Sequence, residues 1–266
     1  MIRTLPKPQP RIVQKVHPRR LPERKLLSMT LVAGFRCRQG GVLLCSDREE
    51  NDRYNKREVD KIHRIPVTQL RTCDVFIAGA GSGDLIRKFR SQLHDSLVSA
   101  ATKGNVFEAH EALIQTELDN FYKQWGEDIE ESGLVFIVVV APFQMNLAPL
   151  LYRTNKTALV LFFEYCAIGT GQSVSDYFAD RLFHYDRMER PLLAILAAFI
   201  LREAQTSAYG VGLGGDMEFI HDGEDSLRHL YKDKVRELQD LVPPLEEAIY
   251  QCWEKRVNIP EWLLKF

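Results

Sequence analysis

The chain predicts an α+β fold in which sheet packs on sheet, with pairs of helices outside. Two observations carry this. The stretches FIVVV at 136–140 and LVLFF at 159–163 are apolar continuously rather than alternately, the pattern of strands covered on both faces. Candidate helices arrive in pairs between the strand groups, so each pair has a sheet face to cover. At 266 residues, 45% hydrophobic and 27% charged, the composition is that of an ordinary globular protein, long enough for one large domain or two small ones.

Residues 1–28 read as a disordered basic tail, broken by Pro6, Pro8, Pro10, Pro18 and Pro22. Eight of the 35 Lys and Arg lie there and one of the 36 acids, which puts the tail at +7 and the remainder at −8. Three readings stand: a plain extension, with Met29 as an alternative start; a propeptide that masks Thr30; or an arm that docks on a neighbouring acidic body. The tail lacks the apolar core of a secretory signal, and its prolines break the amphipathic helix of an organellar presequence. The expected division is therefore a tail at 1–29 and a single domain at 30–266.

Residues 30–38 and 42–47 read as a hairpin about the glycine turn Gln39-Gly40-Gly41. The charged run 48–58 reads as a solvated loop, and 59–65 and 73–79 as short strands. Through 84–101, Leu85, Ile86, Phe89, Leu93, Leu97 and Val98 recur at helical spacing. A second helix is expected at 106–125, with Phe107, Ala109, Leu113, Leu118 and Phe121 among its buried positions. Strands follow at 134–141, 149–153 and 158–167, then helices near 173–185 and 191–208. A strand at 217–220 precedes helices at 226–242 and 245–254.

The totals exclude several classes. A net charge of −1 argues against a generic polyanion binder, so no nucleic-acid partner is expected. The longest apolar run, 191–201, is too short to span a bilayer, so no membrane partner is expected either. The five cysteines, Cys37, Cys45, Cys73, Cys166 and Cys252, are odd in number and irregularly spaced, and several lie in apolar strand-like runs, as reduced structural thiols of a cytoplasmic protein would. Histidines at 17, 63, 94, 110, 184, 221 and 229 form no His-Glu-x-x-His pattern, and no metal or cofactor is expected. The glycine run at 79–83 has Asp84 where a dinucleotide fingerprint needs its third glycine. The glycine-rich run 210–215 follows a helix rather than a strand.

One constellation carries chemistry. The first hairpin ends on Asp47, and Lys61 opens the next strand, so Thr30, Asp47 and Lys61 fall within one small sheet. A nucleophilic threonine needs a base, which an N-terminal threonine supplies as its own α-amine. A lysine beside that amine lowers its pKa, and a carboxylate keeps the lysine charged and oriented. The ordinary alternatives are a β-forming threonine, a turn-forming aspartate and a surface lysine.

The ordered set Thr30…GVLLCSD (41–47)…Asp60-Lys61-Ile62…IAGAGSGD (77–84) resembles the catalytic β-type subunits of the proteasome and their bacterial relative, the HslV peptidase. Both are N-terminal-nucleophile (Ntn) hydrolases. The resemblance extends more weakly through Ala167-Ile168-Gly169-Thr170-Gly171 to about Ile220. It implies a four-layer α-β-β-α sandwich and a threonine endopeptidase subunit of a self-compartmentalised protease. Thr30 would be the nucleophile, Asp47 and Lys61 would tune its amine, Gly79 would give its N–H to the oxyanion from the turn after the fourth strand, and Thr170 would place a hydroxyl near the amine. It further implies peptide or unfolded-protein substrates, a homo-oligomeric ring and an ATP-dependent unfoldase as partner. The chain departs from the pattern in three places. Met29 precedes Thr30 where glycine is usual, one extra residue lies between Thr30 and Asp47, and 205–210 lacks the usual aspartate. A bulge at Gly40-Gly41 is expected to absorb the extra residue. A non-catalytic subunit of the same fold is the alternative, and an Ntn amidase acting on a small molecule a third reading.

Overall fold

The computed structural model describes residues 30–38, 40–52, 55–65, 72–102, 104, 106–143, 147–221, 227–230, 232–244 and 247. The expected tail at 1–29 and, save for Glu247, the helix expected at 245–254 lie outside them, as do His17 and Cys252.

In chain order the strands are β1 (Leu31–Arg36), β2 (Val42–Asp47), β3 (Glu49–Asp52), β4 (Asn55–Glu58), β5 (Ile62–Ile65) and β6 (Cys73–Ala80). Helices α1 (Gly83–Ala101) and α2 (Val106–Ser132) follow, then β7 (Val135–Pro142), β8 (Leu150–Asn155), β9 (Ala158–Phe162) and β10 (Tyr165–Gly169). The chain continues through α3 (Gln172–Leu182), a 3-10 turn at Tyr185–Arg187, α4 (Arg190–Ser207), β11 (Gly215–Ile220), β12 (Leu227–Leu230) and α5 (Lys232–Asp240). The first five-stranded sheet runs β10-β1-β2-β11-β12 and the second β5-β6-β7-β8-β9, with β3-β4 a separate ribbon. Neighbouring strands in both sheets are antiparallel.

Three buried cores explain which residues had to be apolar. Val32, Val42 and Leu44 of the first sheet pack with Phe76, Ala78, Ile137, Val139 and Leu151 of the second. The opposite face of the first sheet, with Leu31, Leu43 and Cys45, meets Ala179 of α3, Leu193 and Leu201 of α4 and Val235 of α5. The opposite face of the second, with Val75, Ile77 and Val138, meets Phe89 and Leu93 of α1 and Ile114, Leu118 and Phe121 of α2. Strand β7 is therefore covered on both faces, and seven of its eight residues are buried. This is the physical reason for the unbroken FIVVV run.

Local signals set the ends. Ser82 caps α1, its Oγ accepting the N–H of Leu85 at 3.5 Å, with Asp84 in the first turn against the helix dipole. Pro191 opens α4, where its missing N–H is harmless. The β1–β2 register runs unbroken from Val32↔Ser46 to Arg36↔Val42. The extra residue before Asp47 is thus taken up in the turn, where Gly40 and Gly41 both have positive φ, 80° and 104°.

Four expectations need correcting. The run 48–58 is not a loop but carries the ribbon β3–β4, paired from Glu49↔Glu58 to Asp52↔Asn55. It has no apolar alternation by which a strand is read. The stretch 158–167 is two strands, because the chain leaves the second sheet after Phe162 and enters the first at Tyr165. Helix α2 continues past Trp125 to Ser132 through a kink at Trp125 (φ −127°), beside Gly126, and the continuation buries Ile129. Residues 227–230, expected to be helical, pair with β11 as strand β12 (Met217↔Leu230), so an open sheet edge overrides a weak helical period.

Candidate active site

Thr30 stands just before β1 and is 4% exposed. Asp47 is the last residue of β2, and Lys61 immediately precedes β5. The three groups do not share one small sheet as expected: β1 and β2 lie side by side in the first sheet, and β5 is an edge of the second, because the chain crosses between sheets after the ribbon. The Thr30 hydroxyl donates to Asp47 Oδ1 at 2.5 Å. Lys61 Nζ donates to Thr30 Oγ1 and lies 2.8 Å from each Asp47 oxygen. One hydroxyl is therefore held between an ammonium and a carboxylate. An ammonium so placed can stabilise an alkoxide at Thr30 Oγ1, and a carboxylate so placed can aim the ammonium.

Asp47 is fully buried, and a buried carboxylate needs donors on both oxygens. Besides Lys61 and Thr30 it accepts the N–H of Leu31 at 2.8 Å, of Gly212 at 3.0 Å and of Glu49 at 3.4 Å. Sequence reasoning missed Gly212. The run 210–215 was visible as a glycine-rich oddity, and its use is to bring a backbone amide onto Asp47. A Cβ at Gly212 would collide with Glu49, so glycine is the residue that fits.

Thr170 closes the other side. Its hydroxyl accepts the Thr30 N–H at 3.2 Å and donates to the Thr30 carbonyl at 3.3 Å, and the N–H of Gly171 reaches the same carbonyl at 3.2 Å. Gly169 has φ +90°, and a Cβ there would collide with that carbonyl. The turn after β10 therefore wraps Thr30 closely, and a Thr30 amine released from residue 29 would have the Thr170 hydroxyl as its first partner.

Gly79 is placed differently from the expectation. It lies inside β6 rather than in a turn; the positive-φ turn residue is Gly81, at 132°. A Cβ at Gly79 would stand 2.8 Å from Ile86 Cγ1 and 3.1 Å from Phe136 Cδ1, so packing of α1 on the strand already demands glycine. The N–H of its partner Phe136 points away from β6, to Thr154 Oγ1 at 2.9 Å. The Gly79 amide consequently faces the β5 edge, where the register Ile62↔Ala78, continued one step, sets Lys61 opposite it. The structure thus brings Thr30, Asp47, Lys61 and Thr170 into direct contact, and sets Gly79 beside Lys61 by register.

In the run 205–210, which lacks the expected aspartate, the Gln205 amide donates to the Gly214 carbonyl at 2.7 Å. Asp216 and Glu218 of β11 are buried nearby, and burial, aided by Asp216 and Asp60 and opposed by Arg64, pushes the Glu218 carboxyl up to about 7. Among the described residues no cluster of His, Cys, Asp or Glu could hold a metal ion, and no described helix is long and apolar enough to cross a membrane.

No family model matches the chain, and no curated protein matches it by sequence. Its fold is similar to solved structures of Anbu, the ancestral beta-subunit. The Yersinia bercovieri protein is 13% identical at a TM-score of 0.68, covering 87% of this chain and 99% of that one. Anbu from Hyphomicrobium sp. strain MC1 is 15% identical at 0.67, covering 86% and 99%. The helical assembly of the Anbu complex from Pseudomonas aeruginosa is 13% identical at 0.65, covering 87% and 98%. This corrects the family expectation. Anbu is proteasome-like, but it is a separate, distant group from the proteasome β subunits and HslV. At these identities the likeness concerns the fold alone, which this chain shares with the Anbu proteins.

Proposed function

We propose that the chain is a threonine-type peptidase subunit of a self-compartmentalising, proteasome-like homo-oligomer of the Anbu kind, with residues 30–266 as one Ntn-type domain. The observation that carries the reading is the Thr30 hydroxyl held between Lys61 and Asp47. The three cores support a four-layer α-β-β-α order, sheet against sheet with α3, α4 and α5 on one side and α1 and α2 on the other.

In this mechanism the Thr30 Oγ attacks a peptide carbonyl carbon and forms an ester. The hydroxyl proton passes to the Thr30 amine and then to the departing nitrogen as the C–N bond breaks. Lys61 and Asp47 set the proton affinity of that amine, Thr170 orients it, and the Gly79 N–H receives the oxyanion. Water then hydrolyses the ester and restores the hydroxyl. The amine must be free, so residues 1–29 have to be removed, whether as a propeptide or by translation from Met29 and loss of that methionine. For assembly, the helical arrangement named for the P. aeruginosa complex replaces a closed ring as the precedent. An unfoldase partner and unfolded-protein substrates belong to the same reading. The cysteines among the described residues are free and buried, which supports a reducing, cytoplasmic setting.

The test joins intact mass with N-terminal sequencing and peptidase assays of wild type and Thr30→Ala. A chain beginning at Thr30, with turnover lost in the variant, is the expected result; equal turnover in both removes Thr30 from the mechanism. The second reading, a non-catalytic subunit, is favoured by the absence of a carboxylate from residues 205–212, and it predicts a retained tail and no turnover.

A further inference from the structure

Thirteen residues separate Asp47 from Lys61, and most of them form the ribbon β3–β4. Two neighbours in a hydrogen-bonded trio are thus joined by an excursion that must be closed at its neck. Arg48, the residue after Asp47, closes it. Its carbonyl accepts the N–H of Val59 at 2.8 Å. Its Nε lies 2.9 Å from Glu58, at the end of β4, and its Nη2 lies 2.6 Å from Asp60, the residue before Lys61. Its Nη1 pairs with buried Asp216 on β11. That last contact anchors the guanidinium to the sheet, because Gly215 and Asp216 stand opposite Asp47 and Ser46.

We infer that Arg48 is a positioning residue that clasps the neck of the ribbon inserted between Asp47 and Lys61 and so holds the Lys61 ammonium on Thr30. The planar guanidinium has the donors to meet three carboxylates at once, which a lysine ammonium on a flexible stem does not reproduce. Burial alone would lower the Arg48 pKa, but Asp216, Asp60 and Glu58 raise it overall, so the clasp stays charged. Releasing the clasp lets Lys61 move with the ribbon, and a displacement near 1 Å at a reacting group costs on the order of 100-fold in rate.

This inference rests on the peptidase reading only where turnover is measured, and the experiment separates the two. The protein as natively expressed, with its first residue established by intact mass, is prepared as wild type, Arg48→Met, Arg48→Lys and Asp60→Asn. Heteronuclear NMR follows the lysine ammonium groups, with Lys61→Arg assigning the Lys61 signal, and peptidase kinetics are run in parallel. The wild-type Lys61 signal is expected to be protected from solvent. In Arg48→Met and Asp60→Asn it moves to the position and fast exchange of surface lysines while the circular dichroism spectrum stays unchanged. Arg48→Lys restores it in part. Turnover number falls roughly 10- to 100-fold with KM within about 2-fold. An unmoved Lys61 signal in the folded variants overturns the inference, as does a change confined to KM. Should Arg48→Met fail to fold, Asp60→Asn decides, since it cuts the tether to Lys61 and leaves the buried Arg48–Asp216 pair in place. Should wild type beginning at Thr30 show no turnover, the peptidase reading fails, and the NMR signal alone decides the role of Arg48.

Discussion

Replacing Lys61 with methionine measures how tightly the site is coupled, without any need for turnover. Asp47 has no exposed surface, and Lys61 Nζ sits 2.8 Å from both its oxygens with a side chain only 10% exposed. Removing one partner of a buried pair costs roughly 3–5 kcal/mol, because the other charge is left buried without compensation. Here Asp47 keeps the Thr30 hydroxyl and the amides of Leu31 and Gly212, so the lower end applies, about 3 kcal/mol. For a chain of this length that lowers Tm by roughly 6–12 °C. Asp47→Asn should cost a similar amount, since it strands the ammonium. The double variant loses both charges together, so its cost should fall short of the sum by about 2 kcal/mol. Urea unfolding of the four proteins gives the cycle. A coupling below about 0.5 kcal/mol would refute the pairing on which the site is built.

Gly212→Ala pushes a methyl group into Glu49 and drags the amide off Asp47. Loss of a hydrogen bond to a charged group and local overpacking should together cost about 3 kcal/mol, read as a drop in Tm; a loss below about 2 °C would show that the loop relaxes freely. Glu218 gives a pH signature. Its folded carboxyl is raised from 4.5 to about 7, so the folded state holds the proton that the unfolded chain releases. Stability should therefore fall as pH rises from about 4.5 to about 7, by on the order of 1–3 kcal/mol. Glu218→Gln should flatten that fall in thermal melts taken across the window, and an unchanged slope would acquit the residue.

Much of this was legible before any coordinates. The apolar run at 136–140 announced a strand covered on both faces, and the spacing of Leu85, Phe89, Leu93 and Leu97 announced α1, because burial imposes a pattern that the sequence records. The run 159–163 was read the same way and is not covered on both faces: β9 is a sheet edge, with Val160 and Phe163 exposed. The ribbon β3–β4 and strand β12 were not legible. Their strands pair with close neighbours in the chain, from Asp52↔Asn55 and from Ile220↔Leu227, through backbone ladders, and a ladder leaves no mark on side-chain polarity. The family resemblance pointed to the kind of fold that the Anbu structures share with this chain and named the wrong group.

By itself the sequence determined which residue types were on hand: a threonine before a strand, an aspartate closing the next, a lysine opening another, and glycines where the chain must turn sharply. Tertiary structure alone decided that they meet. Thr30 and Thr170 lie 140 positions apart, Asp47 and Gly212 lie 165 apart, and Arg48 and Asp216 lie 168 apart. Such contacts exist only once two sheets have closed on one core, because hydrogen bonds reach about 3 Å and no local periodicity encodes which distant amide will stand there.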